Sequence, residues 1–109
     1  MTQHWKEKRR YPRYPIHCPV SFMSFDELRF GETEDLSLGG MKIYSRTVLL
    51  EGKTYDFIVV MNGRAITPKG KIVYLQSQRT FTYGAGVSFL HLSEDHQNRL
   101  SGFLSVQRV

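Results

Sequence analysis

Three arginines lie close together near the start of the chain, in the segment RRYPRY. Arg9 and Arg13 have the spacing R-x-x-x-R, and Arg10 lies between them. A guanidinium group can pair with two acceptors of guanine, bind a phosphate oxygen or stack on a purine ring. A basic segment of this kind is equally well explained as a solvated tail, so it does not define a site on its own.

A second segment, DLSLGG at positions 35–40, combines residues that suit a ligand better than a strand. Asp35 lies inside a strand-like run, although aspartate is disfavoured in strands. Its carboxylate can accept the N1–H and N2–H₂ donors of guanine, and Ser37 can donate to a phosphate oxygen. Gly39 and Gly40 permit a positive φ and a close approach of ligand and backbone. The same residue types are common in turns, and the segment alone favours a turn.

Taken together, the two segments indicate a ligand that carries phosphates and also base-edge donors. A carboxylate repels a bare phosphate, whereas it can accept hydrogen bonds from a base. Guanine nucleotides have both groups.

The elements that position these segments follow from the hydrophobic pattern. Apolar and polar residues alternate through most of 16–92, which is typical of strands with one buried face. Asn62 and Gly63 predict a hairpin turn, and Pro68 or Gly70 is expected to bend a long strand. Ser93 is expected to cap an amphipathic helix over about 94–106. The predicted strands cover 16–23, 28–36, 40–45, 55–61, 65–78 and 80–92.

Six short strands followed by one helix predict an all-β fold. Such a pattern favours a small antiparallel barrel whose open end is plugged by the helix. A chain of 109 residues is large enough for one domain with its own core.

The net charge of +5 is concentrated at the N-terminus. Residues 1–13 contain five basic residues and one acidic residue, and the rest of the chain is nearly neutral. Proteins that follow a nucleic-acid backbone usually spread basic residues over a whole face, so this distribution favours a local anion site or a short tail. We expect a cytoplasmic protein without membrane insertion, because there is one cysteine, no long apolar run and no signal-peptide pattern.

Nothing in the sequence indicates catalysis or a metal site. The histidines have no metal-ligand spacing with each other or with Cys18, and no activated nucleophile or acid–base pair is visible. We therefore expect no catalytic residue and no metal ligand. Cys18 is expected to be a small core residue, given its place in the alternation.

In this order and separation, the two segments resemble the bacterial PilZ domain, a receptor for the second messenger cyclic di-GMP. The resemblance continues in GAGVSF at 84–89 and covers about residues 7–105. It implies a six-stranded antiparallel β-barrel of the split-barrel type, capped by the C-terminal α-helix. It also implies that cyclic di-GMP is bound by Arg9, Arg13, Asp35, Ser37 and Gly40, to which local chemistry adds Arg10 and Gly39.

The resemblance predicts a receptor that signals through a partner protein and needs no cofactor beyond its ligand. Residues 1–14 are expected to form a flexible basic arm, and residues 15–109 the barrel and helix. A dianionic ligand would neutralise the arm and order it across the barrel. The downstream partner, the oligomeric state and the roles of Trp5 and Lys8 stay open, as does the choice between one ligand and a stacked pair.

The alternative function is that of a small basic β-barrel that binds single-stranded nucleic acid. It accounts for the basic arm, but it leaves Asp35 unexplained and predicts more basic charge on the barrel. The sequence therefore disfavours nucleic acid as a partner.

Overall fold

The structure is a computed structural model that describes residues 11–79 and 82–107. Most of this part of the chain forms β-strands, and one helix follows them. The strands are β1 (Pro19–Ser24), β2 (Glu27–Leu36), β3 (Gly40–Ser45), β4 (Thr54–Met61), β5 (Arg64–Ile66), β6 (Lys69–Arg79) and β7 (Thr82–His91), and the helix is α1 (Glu94–Ser105).

Six of the strands close into a barrel. They pair antiparallel in the order β1, β2, β3, β7, β6 and β4, and β4 pairs again with β1. Val20 of β1 lies opposite Val59 of β4 at this closing seam. Closure satisfies the backbone hydrogen bonds that an open sheet would leave unpaired at its edges. The predicted six-stranded antiparallel barrel with a C-terminal helix is confirmed.

The remaining strand, β5, is the first part of a strand that continues as β6. Both pair with the same edge of β4 in one register, since Val59 lies opposite Ile66 and Tyr55 opposite Gly70. Pro68 interrupts this strand because proline has no N–H to donate, and its carbonyl still accepts the N–H of Phe57 at 2.9 Å. The predicted long strand is thus divided near Pro68, and the predicted bend stays a prediction.

The turn between β4 and β5 has the backbone that its sequence predicts. Asn62 and Gly63 have φ values of 55° and 85°, which match the right-handed twist of the two strands they join. The predicted hairpin turn is confirmed.

The barrel interior is filled by alternate residues of each strand. Cys18, Val20 and Phe22 are buried while their neighbours face outward, as the alternation predicts. The rings of Phe22, Tyr55 and Phe57 contact each other with centroids 5.6 to 6.1 Å apart. Burying each large side chain contributes roughly 1.5–3 kcal/mol to stability.

Helix α1 packs its apolar stripe into the same core. Leu100 and Leu104 are buried, and Phe103 is partly buried against them. The Ser93 side chain caps the helix by accepting the N–H of His96 at 3.1 Å. The predicted cap and stripe are confirmed, and the helix is anchored to the barrel that carries the site.

The segment just before β1 is attached to β2 chiefly through Thr33. The Thr33 hydroxyl accepts the N–H of Cys18 at 2.8 Å and donates to the carbonyl of Ile16 at 2.5 Å. Thr33 N–H also donates to the carbonyl of Cys18 at 2.9 Å, so backbone and side chain of Thr33 together hold this segment before Pro19, where β1 begins. This attachment fixes the base of the N-terminal arm beside β2.

Candidate ligand-binding site

The end of the arm lies along the end of β2. Tyr14 N–H donates to the carbonyl of Leu36 at 3.0 Å, and Leu36 N–H donates to the carbonyl of Tyr14 at 2.9 Å. This isolated antiparallel bridge places residue 13 beside the segment 35–37. Two segments that are separate in the sequence therefore meet at one place.

Arg13 and Asp35 form an ion pair across this junction. Arg13 Nη1 lies 3.6 Å from Asp35 Oδ2, and the two side chains are 36% and 19% exposed. Asp35 Oδ1 is buried and has no hydrogen-bond partner in the described part of the chain. Because buried carboxylate oxygens are normally hydrogen-bonded, Asp35 retains capacity to accept from a further donor.

Ser37 shapes the turn that connects β2 to β3. Its hydroxyl accepts the N–H groups of Gly39 and Gly40 at 3.2 Å and donates to the carbonyl of Gly40 at 3.2 Å. The side chain is almost fully buried, with 7% of the residue exposed. Its proton is therefore engaged within the turn, and the predicted donation to a phosphate stays a prediction.

The two glycines of the turn serve close packing. A Cβ on Gly40 would overlap the carbonyl oxygen of Val87, and a Cβ on Gly39 would lie 2.9 Å from Tyr11 Cδ2. Neither glycine has a positive φ, so the left-handed backbone that the sequence suggested is not used. Glycine is needed here because β7 and the Tyr11 ring approach the backbone directly.

Lys42 of β3 lies opposite Asp35 and joins a charged cluster that sequence reasoning missed. Its ammonium lies 3.1 Å from Glu34 Oε1 and 5.5 Å from the centre of the Tyr44 ring. A hydrogen bond with Tyr44, followed by contact with Lys42, lowers the pKa of Glu34. Burial alone would lower the pKa of Lys42, but the hydrogen bond with Glu34 and the nearby Tyr44 raise it. Lys42 thus neutralises a carboxylate next to Asp35.

Part of the predicted site cannot be placed. Arg9 and Arg10 lie outside the described residues, as do Trp5 and Lys8. Arg13, Asp35, Ser37, Gly39 and Gly40 are brought together. The predicted boundary between a flexible arm (residues 1–14) and the barrel with its helix (residues 15–109) stays a prediction. Residues 11–14 contact the barrel.

Two further features bear on function. Within the ranges that the structure describes, no three His, Cys, Asp or Glu side chains are grouped closely enough to hold a metal ion. Among the same residues, no helix is long and apolar enough to cross a membrane.

Fold and site together define a closed β-barrel domain in which residues 11–14 lie beside a D-x-S-x-x-G turn. The chain belongs to the PilZ domain family, whose model matches residues 7–105, and this confirms the predicted family. No curated protein matches the chain significantly.

Solved structures share this fold at low sequence identity. The PilZ domain with c-di-GMP of YcgR from Escherichia coli is 20% identical, with a TM-score of 0.77, and the match covers 93% of this chain and 92% of that one. Bacillus subtilis inhibitor of motility (MotI/DgrA) is 14% identical, with a TM-score of 0.76 and coverage of 91% and 51%. The K. pneumonia MrkH–c-di-GMP complex is 18% identical, with a TM-score of 0.76 and coverage of 89% and 51%. The chain thus spans about half of the last two.

Proposed function

We propose that the protein is a receptor for cyclic di-GMP, which binds between the arginines of the arm and the outer face of the barrel at 35–40. The observation that carries this proposal is the approach of Arg13 to Asp35, which joins the two predicted motifs at one place in a PilZ domain. The similarity to the YcgR PilZ domain with c-di-GMP and to the MrkH–c-di-GMP complex supports the choice of ligand.

Arg13 and Asp35 suit the two chemical parts of this ligand. Asp35 is acceptor-only and has a buried oxygen with no hydrogen-bond partner among residues 11–79 and 82–107, so it fits the N–H donors on the guanine edge. Arg13 fits a phosphate oxygen or the O6 and N7 acceptors of the base. The Asp35 carboxylate would repel a ligand that offers only phosphate. The site therefore favours a nucleotide.

The remaining predicted residues complete the site around this pair. Ser37 holds the turn in shape, and Gly39 and Gly40 allow the Tyr11 ring and β7 to approach the backbone of the turn closely. Arg10 is bonded to Tyr11, whose ring lies over Gly39, so we assign Arg9 and Arg10 to the phosphates of the same ligand. Their planar donors suit phosphate oxygens.

The signal follows from the order that the ligand imposes on the arm. The arm carries four net positive charges, and a dianionic ligand offsets their mutual repulsion. The bound arm then presents a different surface to a partner protein. PilZ domains are ligand-binding receptor domains, and we propose that this one acts as a non-enzymatic cytoplasmic adaptor.

Titration calorimetry with cyclic di-GMP tests the proposal. We expect saturable binding in the sub- to low-micromolar range, which Arg13→Ala and Asp35→Ala weaken at least tenfold, since charge-assisted hydrogen bonds are worth roughly 1.5–3 kcal/mol. Arg64→Ala and Asp56→Ala are matched controls, because both side chains are exposed and lie on other strands. The controls are expected to bind as the unmodified protein does.

A single-stranded oligonucleotide is titrated in parallel. Saturable binding of the oligonucleotide without any response to cyclic di-GMP would overturn the proposal and favour nucleic-acid binding. The calorimetric stoichiometry also distinguishes one bound ligand from a stacked pair.

A further inference from the structure

The strands β2, β1 and β4 carry large apolar side chains on the outside of the barrel. Phe30 of β2, Ser21 of β1 and Ile58 of β4 form one row across the three strands, and Leu28 lies opposite Met23 in the next row. On β1 and β4 the neighbouring residues are buried in the core, so these rows point outward. The large side chains of this surface, the β1 face, are Met23, Leu28, Phe30, Ile58 and Val60.

The β1 face leaves much apolar surface in contact with solvent. Phe30 is 68% exposed, and the other four large side chains are 38–53% exposed. With roughly 200 Å² for a large apolar side chain, these exposed fractions amount to on the order of 500 Å². The largest apolar patch of a typical monomer is about 300–600 Å², and patches at or above this limit mark interaction surfaces.

The hairpin between β1 and β2 adds a further aromatic side chain at the end of the β1 face. Its turn consists of Phe25 and Asp26, with φ values of 51° and 63°. This left-handed backbone favours glycine or asparagine and is uncommon for a bulky residue. Phe25 is 80% exposed, so its ring adds about 150 Å² of apolar surface. A phenylalanine at this position is explained neither by the turn nor by the core, and contact with another molecule accounts for it.

Ser21 leaves a depression in the middle of the β1 face. It is the small residue between Phe30 and Ile58, and side chains directly opposite each other on paired strands are neighbours. A projecting ring and a depression on one face make the face self-complementary. Phe30 of one copy fits over Ser21 of a second copy, and the second copy's Phe30 fits over the first Ser21. Such reciprocal contacts are what a two-fold symmetric interface requires.

The charge on the β1 face also suits a second copy of the chain. Asp56 lies two residues before Ile58 on the outer side of β4, and its Oδ1 is 3.0 Å from Lys69 Nζ. This carboxylate is therefore neutralised within one chain. Two copies can meet here without bringing unpaired like charges together.

The β1 face is separate from the candidate ligand site. In the six-stranded barrel β1 and β7 are three strands apart in either direction, and Gly40 of the turn pairs with β7. Along β2, Asp35 is five residues from Phe30, which corresponds to about 17 Å. A molecule bound to the β1 face therefore leaves the ligand site accessible.

We propose that the β1 face joins two copies of this chain in a two-fold symmetric dimer. Two such faces, each with Phe25, bury about 1,300 Å², at the lower end of the roughly 1,200–2,000 Å² of specific interfaces. An interface of this size suits a reversible dimer with a dissociation constant in the micromolar range. The dimer does not depend on the identity of the ligand.

Sedimentation velocity of the full chain, over concentrations of about 1 to 300 µM, tests the dimer. We expect the average mass to rise with concentration from 12.7 kDa towards twice that value. Phe30→Glu and Ile58→Glu place a charge in the interface and are expected to raise the dissociation constant of the dimer about tenfold or more. Val73→Glu is the matched control, since Val73 is 46% exposed, close to the 43% of Ile58, but lies on β6.

A substitution at Ser21 distinguishes a fitted interface from general stickiness. Ser21→Phe adds apolar surface but fills the depression, so it is expected to weaken the dimer about tenfold or more. Ser21→Ala keeps the depression and is expected to associate as the unmodified chain does. Stronger association of Ser21→Phe would overturn the reciprocal fit of Phe30 and Ser21. Melting temperatures establish that each variant is folded, and Phe30→Ser replaces Phe30→Glu if the charged variant does not fold.

Salt separates the β1 face from the basic N-terminal segment as the cause of association. An apolar, neutral interface is expected to persist at about 0.5 M NaCl, where exposed charges are screened. A chain that is monomeric at every concentration would overturn the dimer. So would a dimer that high salt dissociates and that Phe30→Glu and Ile58→Glu leave unchanged. Phe30→Glu is expected to bind cyclic di-GMP as the unmodified chain does, so failure of ligand binding and failure of the dimer are observed separately.

Discussion

Arg13 and Asp35 lie 3.6 Å apart because the residues that follow them, Tyr14 and Leu36, are paired through their backbones. The side-chain contact therefore depends on a short piece of sheet formed between the arm and β2. Any ligand that binds both side chains also stabilises this pairing, and any change that separates the strands weakens the site.

The ion pair itself is expected to contribute little to the stability of the ligand-free protein. Both side chains are partly exposed, and such pairs are worth about 0–1 kcal/mol. A double-mutant cycle of Arg13→Ala and Asp35→Ala, measured by urea unfolding, should give a coupling energy in this range. A coupling well above it would show that Arg13 and Asp35 act mainly to hold the arm on the barrel.

The two glycines of the turn are expected to respond differently to alanine. Gly40→Ala forces a methyl group against the Val87 carbonyl, and overpacking of a rigid backbone costs about 1–3 kcal/mol, or roughly 5–20 °C in melting temperature. Gly39→Ala meets only the Tyr11 ring, which can rotate, so its melting temperature should change by less than about 4 °C. Equal losses of thermal stability would contradict this difference.

Gly39→Ala is nevertheless expected to weaken ligand binding. Its methyl group displaces the Tyr11 ring, and Tyr11 is bonded to the arginine segment. Titration of both alanine variants with cyclic di-GMP by calorimetry, at one temperature, gives their affinities. These affinities are then compared with the melting temperatures of the two variants. Normal affinity in Gly39→Ala would show that the position of Tyr11 does not matter for the ligand.

The barrel could be predicted from the sequence because alternation, turn residues and one proline each have a local physical cause. Pro68 interrupts the β5–β6 strand since it lacks a donor, and Asn62 and Gly63 fix the hairpin that precedes it. The closing seam between Val20 and Val59 has no local cause. The seam follows from the burial of the inner faces of β1 and β4. The sequence indicates this burial only as an alternation of apolar and polar residues.

The candidate site was predictable only in part for the same reason. Asp35 and Arg13 stood out because their residue types are unusual for their positions, whereas Lys42 is an ordinary strand residue. Its position opposite Asp35 depends on the register of β2 and β3, which local patterns do not fix.

Acid is expected to destabilise the protein partly through Glu34. Its pKa is lowered in the folded state, first by the hydrogen bond with Tyr44 and then by contact with Lys42. A carboxyl whose folded pKa lies below its unfolded value contributes stability above the unfolded value and loses it as the pH falls through the folded one. Melting temperatures between pH 6 and about pH 3 should therefore fall less steeply for Glu34→Gln.

Glu51→Gln is the control for this experiment, because Glu51 is exposed in the loop before β4. It should follow the unmodified protein at every pH. If Glu34→Gln shows the same slope as the unmodified protein, the carboxylate is not stabilised by Tyr44 and Lys42 in the folded state.

Cys18 is expected to be unreactive while the protein is folded. The residue is 3% exposed, and burial raises the pKa of its thiol, an effect larger than the lowering by hydrogen bonding with Thr33. Because the thiolate is the reactive form, alkylation should require unfolding. The rate of iodoacetamide labelling should rise steeply through the urea transition. Rapid labelling in native buffer would contradict the burial of this thiol, and Ser77→Cys provides an exposed reference on the same sheet.

Removal of the Glu34 charge is expected to strengthen binding of cyclic di-GMP. Glu34 is adjacent to Asp35, and its carboxylate is offset by Lys42 at 3.1 Å. Glu34→Gln removes one negative charge near a dianionic ligand, so the dissociation constant should fall about twofold to fivefold at low salt. The gain should vanish at high salt, because the interaction acts across partly exposed surface.

In the Lys42→Met background the carboxylate of Glu34 is no longer neutralised, and Glu34→Gln should then give a larger gain in affinity. An equal gain in both backgrounds would show that Lys42 does not neutralise Glu34 toward the ligand, and a loss of affinity in Glu34→Gln would show that the carboxylate itself contacts the nucleotide.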